Sequence, residues 1–301
     1  MIALLSFSVF CIVSMIATKL VYDGIFVRYD PAPASPPAAL SAVVAARETV
    51  SFLSDENRLN GYLYRAAGEN ALDALIVLAP GYHACADEYL QQIDALLRYG
   101  WSVFAFDPTG SCHSEGGSSV GFPQELCDLK AALAFLEENE RFGFSQLVLL
   151  GHSRGGYAAC CAAGETDVAA VVTVSGINSA MEGVMSASVE AIGPVAYGNY
   201  PFLWAYQTLL FGGEIANADA AQVLSETAVP VLIVHGQQDT TVPTDKYSIL
   251  SHRDEIDSGA VEVYICEDAG QDGHTNLLFD ADGTANDALM EKIHTFCVAQ
   301  L

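Results

Sequence analysis

The apolar positions of this chain cluster in short, mostly apolar runs separated by stretches with helical spacing. Ala74–Ala79 (ALIVLA), Trp101–Phe106, Gln146–Leu150, Val168–Val174 (VAAVVTV), Val229–Val234 (VPVLIV) and Val261–Cys266 are such runs. A strand needs no polar alternation when both of its faces are covered, so these runs predict buried strands of a parallel sheet. Upstream, Glu48–Leu53 and Leu59–Arg65 alternate around the turn-like Ser54-Asp55-Glu56-Asn57, which predicts a hairpin. Glu88–Tyr99 places Leu90, Ile93, Leu96 and Leu97 on one helical face, and Pro123–Asn139 and Asn286–Val298 also read as helices. The expectation is an α/β fold over residues 47–301: a mostly parallel, doubly covered sheet of about eight strands.

Two stretches break this rhythm. Between Ser175 and Ala228 the strand–helix alternation stops, and Asn178, Met181, Met185, Tyr197, Tyr200, Phe202, Trp204, Tyr206 and Phe211 stand out. This reads as a short helical cap inserted at about 176–228, although the Met and aromatic residues alone would favour ordinary helix packing. The other stretch is the N-terminus. Residues 1–18 are uncharged and mostly apolar, and as a helix they reach about 27 Å, close to the thickness of a bilayer core. No Lys or Arg precedes the run, and the small-residue pattern of a cleavage site is missing, so residues 1–28 are expected to be an uncleaved anchor helix. Lys19 and Arg28 follow it, two charges that vote weakly for a cytoplasmic domain, whereas a signal anchor usually delivers its domain outside. We take the extracytoplasmic side as the expectation. Residues 29–46 contain PAPASPPAALSAVVAA and read as a Pro/Ala-rich linker.

Composition narrows the partners. The 301 residues are 51% hydrophobic, enough for a large core. Twelve Lys and Arg against 37 Asp and Glu leave a formal charge of −25, which would repel a phosphate backbone, so no nucleic-acid partner is expected. The eight cysteines form no Cys-x-x-Cys pair and no Cys/His zinc spacing. Most read as buried thiols, with a Cys85–Cys112 disulfide left open.

The chemistry lies at Leu147–Ala158, where an apolar run ends in Gly151-His152-Ser153-Arg154-Gly155-Gly156 and small residues follow. Gly-x-Ser-x-Gly between a strand and a helix is a nucleophile elbow: Ser153 sits at the tip of a tight turn that requires small Gly151 and Gly155. A serine hydroxyl needs a base within hydrogen-bond reach and a carboxylate to orient that base. On these residues the chain resembles the α/β-hydrolase fold superfamily, specifically membrane-anchored bacterial serine hydrolases of the esterase/prolyl-oligopeptidase-like branch. Asp107–Gly116 resembles that family's Asp-x-Arg-Gly-x-Gly-x-Ser-x-Gly loop, departing at Thr109 and Cys112.

The resemblance implies a chain order of Ser, acid, His. Asp239, in His235-Gly236-Gln237-Gln238-Asp239-Thr240-Thr241-Val242-Pro243 after an apolar run, is then the acid, ahead of Asp245. His274, in Gly273-His274-Thr275-Asn276 past the last strand, is the base. The backbone N–H groups of Tyr82, in Pro80-Gly81-Tyr82-His83, and of Arg154 would form the oxyanion hole. For the Arg154 guanidinium, a substrate carboxylate and a surface ion pair are equal expectations. His152 should point away beneath the turn and His235 bond locally. His83, His113, His252 and His294 are expected to be solvated or locally bonded, and Asp268 and Asp272 solvated. The implied activity is hydrolysis of a carboxylic ester of a small or medium acyl substrate through an acyl-enzyme, chemistry that requires no metal or cofactor. Peptidase or amidase, thioesterase or acyltransferase, and a non-catalytic binding module are the alternatives.

Overall fold

The computed structural model describes residues 2–32, 38–227, 229–257 and 260–301. Helix α1 (Ile2–Ile25) leads through a short extended segment, and α2 (Ser41–Ala46) precedes the sheet. The expected linker is therefore only partly extended: residues 33–37 lie outside the described residues, and Leu40, next to α2, is buried.

Strands β1 (Glu48–Ser54) and β2 (Asn57–Tyr64) form the expected hairpin. Then come β3 (Ala74–Ala79), α3 (Leu90–Arg98), β4 (Ser102–Phe106), α4 (Gln124–Glu138), β5 (Gln146–His152), α5 (Arg154–Cys161) and β6 (Ala170–Val174). Helices α6 (Ala180–Ile192), α7 (Tyr200–Ala216) and α8 (Ala220–Glu226) occupy the stretch where alternation fails. The chain closes with β7 (Val231–Gly236), β8 (Val261–Cys266) and α9 (Asp287–Val298).

The eight strands form one sheet in the order β1-β2-β4-β3-β5-β6-β7-β8. Only the β1–β2 and β2–β4 pairs are antiparallel; the other five are parallel. Every residue of β3, β4, β6 and β7 is buried, which is why their runs show no polar alternation. One apolar layer lies under α4, α5 and α8, and the opposite layer under α3 and α9. From β3 the chain steps outward to β4 and then returns to β5 on the other side of β3. That reversal opens a crevice at the carboxyl ends of the strands, and loops carrying polar residues converge there.

Candidate functional site

The site begins with a backbone constraint. Ser153, between β5 and α5, has φ 55° and ψ −117°, a region a non-glycine residue occupies only when its surroundings hold it there. The turn is so tight that a Cβ on Gly151 would run into the carbonyl of Gly155, and one on Gly155 into that of Ala79. The Ser153 N–H donates to the Val174 carbonyl at 2.8 Å, tying the tip to β6.

Three sequence-predicted residues meet here. His274 Nε2 lies 2.9 Å from Ser153 Oγ, and His274 Nδ1 lies 2.7 Å from Asp239 Oδ2. An ionised carboxylate only accepts, so Nδ1 carries the proton and Nε2 is left to accept from the serine hydroxyl. The Asp239 side chain is buried, and its other oxygen accepts the Thr241 and Val242 N–H groups at 2.9 and 2.8 Å. Burial pushes this carboxyl up, but hydrogen bonds from His235 and His274 outweigh it and hold the group well below the usual carboxylate range. The loop bearing His274 is itself fixed: Gln238 N–H donates to the Asp272 carbonyl at 2.6 Å, and Gly273 N–H to Asn276 Oδ1 at 2.7 Å.

Tyr82, His83, Ser153, His274 and Phe279 line a cleft of about 220 Å³. Arg154 opens α5, where the first N–H groups of a helix have no carbonyl one turn back and face the helix end. Its side chain meets neither expectation. The guanidinium is buried, 2.6 Å from the buried Glu125 carboxylate, and lies 5.6 Å from the Tyr82 ring centroid. Once α5 packs on α4, the long side chain has no path to solvent and a carboxylate must accompany it inward. Burial pushes Glu125 up to about 8, against the pull of Arg154.

Sequence reading passed over Tyr89. Its hydroxyl accepts the Gly81 N–H at 2.9 Å and lies 2.9 Å from His152 Nδ1. His152 Nε2 is 3.0 Å from the His274 carbonyl, an acceptor, so Nε2 carries the proton and Nδ1 receives the tyrosine hydroxyl. Burial first, then the neighbouring His274, lowers His152 to about 4, so its ring is neutral. A ring expected merely to point away under the turn thus joins three loops. His235 behaves as expected, bonding the Val242 carbonyl at 2.7 Å. His83 is more enclosed than expected. It has φ 51° and stacks against Tyr29 and Tyr82, and burial followed by the Arg154 charge lowers its imidazole. His113 bonds Asp107 at 3.1 Å, His252 lies beside Glu182 and Glu255, and His294 accepts from Trp101 Nε1 at 3.1 Å. Cys85 and Cys112 are disulfide-bonded, with Cα atoms 6.3 Å apart. The one three-ligand cluster among the described residues is these two sulfurs with Asp107, and a disulfide has no thiolate to offer a metal.

The segment after α1 also reaches the cleft. The Tyr82 hydroxyl donates to the Ile25 carbonyl, and Phe26 packs edge-on against the Tyr82 ring.

A family model described as the alpha/beta hydrolase fold matches residues 74–190. None of the curated proteins matches the sequence. Among solved structures, an esterase from Pyrococcus furiosus superposes with TM-score 0.66 at 17% identity, covering 91% of this chain and 98% of its own. A Butyrivibrio proteoclasticus protein solved with ferulic acid bound gives TM-score 0.60 at 17% identity, over 83% of this chain and 98% of its own. A proline iminopeptidase from Mycobacterium smegmatis gives 0.55 at 14% identity, over 84% and 98%. Strand order, the crevice at the strand ends and these likenesses agree: the chain has the alpha/beta-hydrolase fold.

Proposed function

We propose that the protein is a serine hydrolase that cleaves a carboxylic ester through an acyl-enzyme, with Ser153 as nucleophile, His274 as base and Asp239 as the acid that orients it. The observation that carries this reading is the continuous hydrogen-bonded chain from Ser153 Oγ through His274 to Asp239 at a strained turn. Ser153 Oγ attacks the acyl carbonyl as His274 Nε2 takes its proton. The oxyanion is met by the N–H groups of Arg154 and Tyr82. His274 returns the proton to the departing alcohol, and water repeats the cycle on the acyl-enzyme. Asp239 stays ionised and stabilises the imidazolium at each half. The cleft of about 220 Å³ suits a small or medium acyl group.

In the same reading α1 anchors the enzyme in a membrane. Leu5–Ile25 has a mean hydropathy of 1.8 and is mostly exposed, a pattern that a signal sequence shares. The Cys85–Cys112 disulfide favours an extracytoplasmic domain, because such bonds persist in oxidising compartments.

The test is the detergent-solubilised full chain against a fluorophosphonate probe and p-nitrophenyl esters of graded length, with matched p-nitroanilides. Ser153→Ala should abolish labelling and lower kcat by about 10⁶. Labelling that survives the substitution would sink the assignment, and anilides turned over as fast as esters would redirect it to a peptidase or amidase.

A further inference from the structure

The stretch from Ala191 to Gly213 contains no Asp, Glu, Lys, Arg or His, in a chain of which 16% is charged. It covers the end of α6, a helical turn and most of α7, and it is not hidden. Val195 and Leu209 are 70 and 75% exposed, and Tyr197, Tyr200 and Trp204 are 63, 45 and 44% exposed. A surface helix of a water-soluble domain turns charged residues outward. The outward side of α7 instead carries Pro201, Trp204, Leu209 and Leu210, opposite the buried Leu203, Tyr206 and Gln207.

What covers this face follows from its contact with α1. Phe10 in the middle of α1 packs edge-on against Phe202 at 5.9 Å between ring centroids. Further along, Thr18 accepts a hydrogen bond from Asn199 at 2.5 Å, and Tyr22 donates to Gln207 at 3.2 Å. Ile192 and Val195 face Ala17 and Val21 across a shared crevice. The first charges after the apolar run, Lys19 and Asp23, pair with each other beside Tyr206. They mark the aqueous end of the anchor, since a charged pair at the bilayer centre is costly. Phe10 lies nine residues before Lys19, about 13 Å deeper along the helix. Whatever depth α1 reaches at Phe10, Phe202 reaches with it.

We propose that the uncharged face of residues 191–213 is immersed in the headgroup and upper acyl region of the bilayer that holds α1. The proposal rests on the reading of α1 as a membrane segment. Tyr and Trp are suited to that depth, where a ring can bury its body and keep its polar edge wet. A net charge of −25 disfavours anionic lipid, so the surface selected is zwitterionic. The arrangement also sets the height of the cleft. Tyr82 is tied to Ile25, six residues past Lys19, so the cleft lies about 9 Å above the lipid boundary, within reach of esters that partition into the interface.

The chain has two tryptophans, and they separate the outcomes. Trp101 is fully buried in the sheet domain, whereas Trp204 lies on the proposed face. The full chain is reconstituted into phosphatidylcholine vesicles, recovered by flotation, and compared in unlabelled and 6,7-brominated lipid, alongside Trp204→Phe. Bromolipid should quench the wild-type emission, and W204F should remove the quenchable share while retaining the Trp101 signal. Three results would overturn the proposal. Protein that does not float overturns it together with the anchor reading. Floated protein in which acrylamide, and not bromolipid, reaches Trp204 places the face in water. Floated protein in which neither quencher reaches Trp204 places it against protein. The last two leave the anchor reading standing.

Discussion

Removing one hydroxyl group should test how the candidate site is held together. Tyr89→Phe leaves the ring in place and deletes the oxygen that accepts the Gly81 N–H and donates to His152 Nδ1, each at 2.9 Å. Tyr89 and His152 are both buried and the ring is neutral, so no charge change compensates. Two polar atoms are then left without their partner, a donor and an acceptor, at about 1–3 kcal/mol each. Phe recovers little, because it fills the same volume less one oxygen. The expected loss is about 2–6 kcal/mol, read by urea unfolding of the detergent-solubilised full chain. Activity should fall as well, for a separable reason. Gly81 precedes Tyr82, the proposed oxyanion donor, and His152 holds the carbonyl of His274, the proposed base. Loosening both sides of the reacting group should lower kcat by about 10²-fold with KM nearly unchanged, because placement matters most in the transition state. A variant whose stability stays within 0.5 kcal/mol of the wild type, a margin of about the usual error, would refute the idea that this tyrosine braces the loops. A stability loss with unaltered kcat would show that the brace is structural and does not set the geometry of the chemistry.

Further outcomes follow from the same structure. Asp239→Asn should lower kcat by about 10⁴, because Asn in place of the carboxylate favours the wrong imidazole tautomer. The folded state holds the Asp239 carboxyl below its ordinary value of 3.8, so its carboxylate contributes stability above that pH, and the contribution fades as pH falls through the depressed value. The gap in unfolding midpoint between wild type and D239N should therefore be wider at pH 7 than at pH 3, and a gap that does not narrow would contradict the linkage. Reducing the Cys85–Cys112 disulfide, or replacing both residues with Ser, releases a loop of 27 residues and should cost about 3.5 kcal/mol in unfolding free energy. Equal unfolding midpoints with and without reductant would show that this loop is held by its other bonds.

Much of the molecule could be read along the chain, because the deciding interactions are local or periodic. Unbroken apolar runs such as Ala74–Ala79 and Val231–Val234 become strands buried on both faces, since nothing else satisfies so many consecutive apolar side chains. The elbow is legible because the turn at Ser153 leaves no room for a Cβ at Gly151 or Gly155. Asp239 and His274 could be placed because each follows an apolar run, and parallel strands deliver their following loops to one edge of the sheet.

The tertiary structure decided what depends on contacts between distant parts of the chain. Arg154 had two readings and took neither, because its direction is set by Glu125, 29 residues away, once α4 packs on α5. Tyr89 carries no sequence signal, since its role exists only when His152, 63 residues on, arrives beneath it. The N-terminal stretch reads as an anchor followed by a spacer, yet Ile25 and Phe26 meet the Tyr82 side chain and Tyr29 stacks on His83. Periodicity reports which face of an element is buried; it carries no information about which neighbour covers it. That is settled when the sheet closes, where each buried polar atom must find a partner among the groups the fold brings within about 3 Å.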